Sequence, residues 1–331
     1  MLAVPTRASS ISEREKLDVD ELFLGLVLVI VSLIYSGTLL YAVHELNSSV
    51  GGPKPEESEE EATEETPQPP PVSTASKRPT TKAEILAWRQ RIIEEIEKER
   101  GTKVITMIHK KELWTEPGED PEIGIENTVT VLQQMRQTPP EKPVDFIIHT
   151  PGGYALAAEM MAMAIKFHPS KVTVMVPFYA FSGGSLMTLA AGEVRMEKYS
   201  VLGPVDPQIP TPDGMYPAGS IATIMKTKPI QSVTDRMVIL SDVANLEIEN
   251  AKAFVIWLLE GKMDKQQAEQ VADFLARGYM SHATPITLDV ARAIGLNVVE
   301  GIPDKVYELF KTFAFTGQPF RHREYAAASG N

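Results

Sequence analysis

The chain has 331 residues, 43% hydrophobic and 23% charged, with no cysteine and a formal net charge of -12. This is length for one sizeable core plus appendages. The lack of cysteine excludes disulfide scaffolds, zinc ribbons, iron–sulfur centres and thiol nucleophiles, and the acidity argues against nucleic acid as partner, since phosphate binding needs a concentrated basic surface.

After a tail at residues 1–21, the stretch LFLGLVLVIVSLIYSGTLLYAV from Leu22 to Val43 carries no charge. It is long enough to cross roughly 30 Å of hydrocarbon as a helix. A cleavable signal peptide would have a shorter apolar region followed by a small-x-small site, for which Leu40 and Ala42 are poor candidates, so an uncleaved anchor is expected. Arg7, Arg14 and Lys16 precede the run and only Lys54 follows closely. That asymmetry predicts a single-pass protein with a cytoplasmic amino terminus and an extracytoplasmic domain. Residues 44–81, including GGPKPEESEEEATEETPQPPPVSTASKRPTT, cannot bury enough apolar surface to offset ordering entropy and read as a disordered acidic, Pro-rich linker.

The folded domain is expected over 82–315. Ile85, Trp88, Ile92, Ile93 and Ile96 fall on one helical stripe between Lys82 and Arg100, and Gly101 ends it. Apolar strand-like runs then alternate with helical patterns: Val104 to Ile108, helical Ile125 to Met135, Val144 to His149, helical Ala155 to Phe167, Val172 to Pro177 and helical Gly183 to Ala191. Short strands separated by longer helices predict parallel βαβ crossovers and an α/β domain. Beyond Gly214 the pattern turns mostly helical, with a long helix over Asp235 to Leu259, a second one capped by Asp264, and a third opening at Thr287 or Leu288. The tail 316–331 is small and polar, and is expected to be flexible.

No glycine-rich nucleotide loop and no histidine pair at ligand spacing is present, so no metal and no cofactor is expected. Two glycine turns stand at strand-to-helix junctions: His149-Thr150-Pro151-Gly152-Gly153 and Tyr179-Ala180-Phe181-Ser182-Gly183-Gly184-Ser185. Free N–H groups at such helix starts are what an oxyanion hole requires, and ligands bind at the carboxyl ends of parallel strands. Taken alone, Ser182 also fits an ordinary helix cap. A serine nucleophile needs a base, and no histidine lies between Ser182 and His282. A lysine made neutral by burial is the other common partner, which points to Lys226 and Lys228.

The motifs HTPGG, YAFSGGS, VLGPVDPQ, YPAGSI, Lys-Pro and SHATPIT, in that order between about Val104 and Val299, resemble the Clp-protease/crotonase superfamily. Within it the closest resemblance is to the serine dehydrogenase proteinase family, related to signal peptide peptidase A. The resemblance implies a repeated ββα core with a helical C-terminal part. It also implies Ser182 as nucleophile, Gly153 and Gly183 as oxyanion donors, Lys228 as base with Lys226 as second choice, and a homo-oligomer. Ser185 is a second hydroxyl at the same helix start and an alternative nucleophile; with Asp206, it is a possible site-lining residue. Asp206 and Gln208 either orient the base or form a turn, and His282 is read as capping or packing a helix. No pyridoxal- or nicotinamide-binding pattern supports the dehydrogenase part of the family's name.

The leading expectation is a membrane-anchored serine peptidase with a Ser-Lys dyad acting on peptide or protein substrates. The alternative is an inactive scaffold of the same fold that binds peptides or membrane partners. Acyl-CoA chemistry of the crotonase type is disfavoured, because a serine at the helix start has no role in it.

Overall fold

The computed structural model describes residues 81–110 and 121–313. Helix α1 (Lys82–Arg100) leads into strand β1 (Lys103–Ile108), α2 (Ile125–Gln137), β2 (Val144–His149), α3 (Ala155–Phe167), β3 (Val172–Val176), the short β4 (Tyr179–Ala180) and α4 (Gly183–Ala190). Strands β5 (Glu193–Met196), β6 (Val201–Leu202), β7 (Gln208–Thr211) and β8 (Gly214–Pro217) follow. The chain closes with α5 (Ala218–Thr227), α6 (Asp235–Leu259), α7 (Lys265–Ala276), β9 (Ile286–Thr287), α8 (Leu288–Ala293), β10 (Val298–Glu300) and α9 (Asp304–Lys311). The anchor expected at 22–43, the linker expected at 44–81 apart from its last residue, Thr81, and the tail at 316–331 lie outside the described residues, and among the described residues no helix is long and apolar enough to cross a membrane.

The main sheet runs β1-β2-β3-β5-β10, all parallel. Every residue of β2 and β3 is buried, as expected of central strands covered on both faces. One face is covered by α1 and α9, where Ile92, Ile96, Val306, Leu309 and Phe310 pack on Val104, Ile147 and Met175. The buried carboxylate of Asp145 in β2 fixes the end of α1: it accepts from the Arg100 guanidinium and, at 2.7 Å, from the Thr102 hydroxyl. The α1 stripe is therefore read correctly, with Ile85, Ile92 and Ile96 buried and Trp88 and Ile93 at the margin.

A second, three-stranded sheet, β4-β6-β9, pairs β4 with β6 in parallel and β6 with β9 antiparallel. Strand β7 and strand β8 form a hairpin whose Ile209 packs with Ala218, Ile221 and Ala222 of α5 and Ala244 and Ile248 of α6. The region beyond Gly214 is thus less uniformly helical than its sequence suggests, because β9 and β10 are short strands that complete sheets begun much earlier. Both expected caps are formed: the Asp264 carboxylate accepts the Gln267 N–H at 2.9 Å, and the Thr287 hydroxyl accepts the Val290 N–H at 3.4 Å.

Candidate active site

The two glycine turns meet at the carboxyl ends of β2 and β4. A parallel bridge joins Thr150 to Ala180, with the Phe181 N–H donating to the Thr150 carbonyl at 3.0 Å. At the first residue after this bridge and Phe181, the backbone reverses. Ser182 has φ 52° and ψ −117°, and is the one non-glycine residue with positive φ among those described. For a residue with a Cβ such a conformation costs on the order of 1–3 kcal/mol and persists only where its surroundings impose it. Its surroundings do: the Gly184 N–H donates to the Phe181 carbonyl at 2.8 Å, and the Ser185 and Leu186 N–H groups donate to the Ser182 carbonyl at 2.8 and 3.2 Å.

The Ser182 side chain makes no capping bond to the helix. Its strain is therefore not explained by ordinary capping, which a serine performs from unstrained extended backbone. The sharp strand-to-helix turn lifts a part-exposed hydroxyl over the start of α4, the geometry of a nucleophile elbow.

Two backbone N–H groups of the adjoining turns have no partner among the described residues. Gly183 is the first residue of α4, so its N–H has no partner within the helix, and none among the described residues engages it. Gly153 is bridged in parallel to Ile123: the Ile123 N–H donates to the Gly152 carbonyl at 2.7 Å and the Tyr154 N–H to the Ile123 carbonyl at 2.8 Å. In such a bridge the central residue turns its own N–H away from the partner, which leaves Gly153 N–H unclaimed. Side chains are excluded at each of these places. A Cβ on Gly153 would stand 2.3 Å from the Ile123 carbonyl oxygen, and one on Gly183 2.6 Å from Ala158 Cβ.

Behind the first turn, the Thr150 hydroxyl accepts the Gly152 N–H at 3.1 Å and lies 2.7 Å from His109 Nδ1. Burial lowers His109 and the neighbouring His149 to about 4, with Lys110 and His109 adding to the effect at His149. Both imidazoles are therefore neutral near pH 7. His109 Nε2 and His149 Nδ1 are buried without a hydrogen bond among the described residues. At its far end α4 is held by Lys262, whose ammonium donates to the Leu189 and Ala191 carbonyls; burial pushes this lysine down to about 8.

The other expected site residues fall in different places. Ser185 is buried, 2% exposed, with its hydroxyl between the Ala180 and Gly203 carbonyls at 2.8 and 2.7 Å while accepting the Gly203 N–H at 3.0 Å. The second exposed hydroxyl expected there is instead an internal tie between α4 and the chain after β6, because α4 is buried along its whole length. Lys226 closes the last turn of α5 and Lys228 is its C-cap, with its N–H donating to the Ile224 carbonyl at 3.0 Å; both are exposed, and neither ammonium forms a hydrogen bond or ion pair among the described residues. The burial expected of these two lysines is not found among the described residues.

Asp206 is buried, and both carboxylate oxygens are used. Oδ1 lies 2.7 Å from His282 Nδ1, and Oδ2 accepts the Gln208 amide at 2.7 Å. The His282 side chain is 30% exposed. Sequence reasoning left Asp206 open as an orienting residue and treated His282 as packing. It missed the roles of Gly152, Thr150 and His109 altogether, although the placement of Thr150 and Gly152 inside a strand-to-helix glycine turn was the signal available.

A family model described as ClpP-like SDH-type serine proteinase matches residues 77–327. Two uncharacterized proteins of Methanocaldococcus jannaschii are similar: MJ1495, 44% identical over 227 residues, covering 68% of this chain and 76% of that protein, and MJ0137, 40% identical over 238 residues, covering 71% and 80%. Similar solved structures include a membrane-bound stomatin-specific protease, 1510-N, with 14% identity, TM-score 0.39 and coverage of 58% of this chain and 79% of that one. Another is ClpP1 from Listeria monocytogenes, with 14% identity, TM-score 0.38 and coverage of 63% and 97%.

Proposed function

The chain belongs to the ClpP-like SDH-type serine proteinases, and from that premise we propose that it is a serine peptidase with Ser182 as nucleophile and the Gly153 and Gly183 N–H groups as oxyanion donors. One observation carries the reading: the strained Ser182 backbone at the start of α4, with its hydroxyl unused as a cap. Donors fixed in advance stabilise the charge that develops on the carbonyl oxygen; loss of one such donor typically costs about 10²–10³ in rate. An inactive scaffold would have no use for the strain, since a glycine at 182 would adopt the same turn without it.

The Ser-Lys form of this chemistry asks for a desolvated lysine, and exposed Lys226 and Lys228 meet that condition only if another surface covers them. The wider reading places the domain outside the cytoplasm on a single-pass anchor at 22–43, joined by the linker 44–81, and rests on the charge-free run and the basic residues before it. Assembly with further copies of the chain is favoured by α6, which exposes Ile239, Val243 and Leu246 at helical i, i+4, i+7 spacing. The enzymatic reading is tested by a fluorophosphonate probe on the full chain. Labelling of the wild type and not of Ser182→Ala is expected; equal labelling of both, or of neither, removes it.

A further inference from the structure

Beside the Gly153 turn a groove of about 650 Å³ runs between α3 and α6, the size of an ordinary small-ligand pocket. Lys166, near the end of α3, donates to the Leu258 and Glu260 carbonyls at 3.3 Å each, and the Phe167 ring meets the Trp257 ring with centroids 5.5 Å apart. The carboxyl-terminal ends of the two helices are thereby tied together, and the groove extends from there to the start of α3. Its α3 wall begins at Tyr154, the residue after Gly153. Its α6 wall is the stripe Glu247, Asn250, Phe254 and Trp257, which falls on one helix face.

The lining combines apolar surface with unpaired charge. Tyr154 is 55% exposed and Leu156 48%, and Phe254 and Trp257 beside them have ring centroids 5.5 Å apart. Glu159 and Glu247 bring two carboxylates into the same groove, and among the described residues neither has a hydrogen bond or a cationic partner. Burial pushes the half-buried Glu159 carboxyl up, and the Glu247 charge adds to the effect. The one lysine of α3, Lys166, is taken up by the helix carbonyls and by the Trp257 ring, whose centroid is 5.1 Å from its ammonium. An apolar occupant would strip water from both carboxylates without replacing it, and an acidic one would add a third like charge. A cation on a long apolar stem satisfies the whole lining, since the stem covers the rings while the head lies between the carboxylates.

Position ties the groove to the serine. Glu159 stands six residues beyond Gly153, roughly 9 Å at the helical rise, and side chains on a helix lean towards its amino terminus, here towards Gly153. An extended lysine or arginine side chain spans that separation from a carbonyl held at the Gly153 N–H. We infer that the groove between α3 and α6 is the specificity subsite of the Ser182 centre and takes the lysine or arginine side chain of the residue that supplies the scissile carbonyl. The inference rests on Ser182 being the nucleophile and names the substrate class of that site: peptides cleaved after a basic residue. Glu159 and Glu247 bind the cation, and Tyr154 and Phe254 hold its stem.

The test compares two diphenyl aminophosphonate probes on the full chain, alike except that one carries a lysine side chain and the other the uncharged norleucine side chain. With either probe the serine Oγ bonds to phosphorus and phenoxide leaves, taking up the hydroxyl proton as phenol. The lysine probe should label the wild type roughly 10-fold faster or more, the scale of one hydrogen bond to a charged group. Glu159→Gln and Glu247→Gln should each reduce that ratio, the double variant should abolish it, and Glu159→Lys should favour a probe with a glutamate side chain. A substitution that only loosens the fold slows both probes alike and leaves the ratio in place. Glu247 is exposed, so Glu247→Gln carries the test if Glu159→Gln does not fold. Equal rates in the wild type, or a lysine preference that survives in the double variant, overturns the inference. Faster labelling by the norleucine probe also overturns it, and would mean that an apolar side chain or a second copy of the chain covers the groove. In these cases fluorophosphonate labelling of the wild type and not of Ser182→Ala leaves the nucleophile standing. Equal fluorophosphonate labelling of both, or of neither, removes the peptidase reading and this inference with it.

Discussion

Gly152 lies so close against Ser182 that a Cβ added to it would stand 2.7 Å from the Ser182 Cβ and 3.3 Å from its Oγ. Gly152 also has φ +108°, where a side chain is strained even in open space. Gly152→Ala must therefore move the Gly152-Gly153 turn and Ser182 apart. A displacement of about 1 Å costs on the order of 10² in rate. Probe labelling is expected to fall at least that far in a protein that still folds, and a wild-type rate would mean that the two turns do not act together.

Strain at Ser182 has an opposite signature. Ser182→Gly removes the Cβ that makes φ 52° costly, a gain of about 1–3 kcal/mol, against a loss of about 0.5–1 kcal/mol from the greater freedom of glycine in the unfolded chain. The net is a stabilisation of about 1 kcal/mol, or roughly 2–4 °C in Tm for a domain of this size. Ser182→Ala keeps the Cβ and should gain nothing. Both variants should be inactive. Thermal melts decide the matter: a Ser182→Gly protein melting no higher than Ser182→Ala would show that the turn is not strained.

What was legible in the sequence follows from element length. Helix α6 spans 25 residues and α3 spans 13, and strands β2 and β3 are mainly apolar runs of six and five residues, so period and hydrophobicity locate each of them. Strands β4, β6 and β9 have two residues each, too few for any period, and exist only because distant segments pair. The Asp206–His282 contact depends on that pairing, across 76 positions of chain, which is why a local reading of His282 gave only packing. The β7–β8 hairpin did carry a local sign, Pro212-Asp213-Gly214, whose first two residues form the turn while Gly214, at φ +128°, opens β8 opposite Thr211. Lys226 and Lys228 show the converse failure, since an apolar neighbourhood in sequence did not bring burial in space.

The charge-free run at 22–43 predicts how the protein partitions. Extraction of membranes at alkaline pH should leave the full chain in the pellet, while a chain beginning at Thr81 should be recovered in the supernatant. A carboxyl-terminal reporter should be active only outside the cytoplasm. Release of the full chain by alkali would remove the anchor, and cytoplasmic reporter activity would reverse its orientation.

Two buried imidazoles should make the fold sensitive to acid. His109 and His149 are each lowered by burial from 6.5 to about 4, so between those values the unfolded chain binds protons that the folded protein refuses. Stability is then unaffected by these groups above about pH 6.5 and declines as pH falls from there towards 4. At pH 5 each contributes a loss of about 2 kcal/mol. His149 packs against Tyr179, Phe310 and Phe178, with ring centroids 4.1, 5.4 and 5.7 Å away, and its Nδ1 is buried without a partner among the described residues. Phenylalanine should suit that surrounding, and the His109 N–H bond to the carbonyl of residue 149 is a backbone contact that the substitution leaves in place. His149→Phe is therefore expected to match or exceed wild-type stability at pH 7 and to shrink the loss between pH 7 and pH 5 by about 2 kcal/mol, with the share due to His109 remaining. Urea denaturation at the two pH values measures this directly. An unchanged difference would mean that His149 is not held neutral in the folded protein.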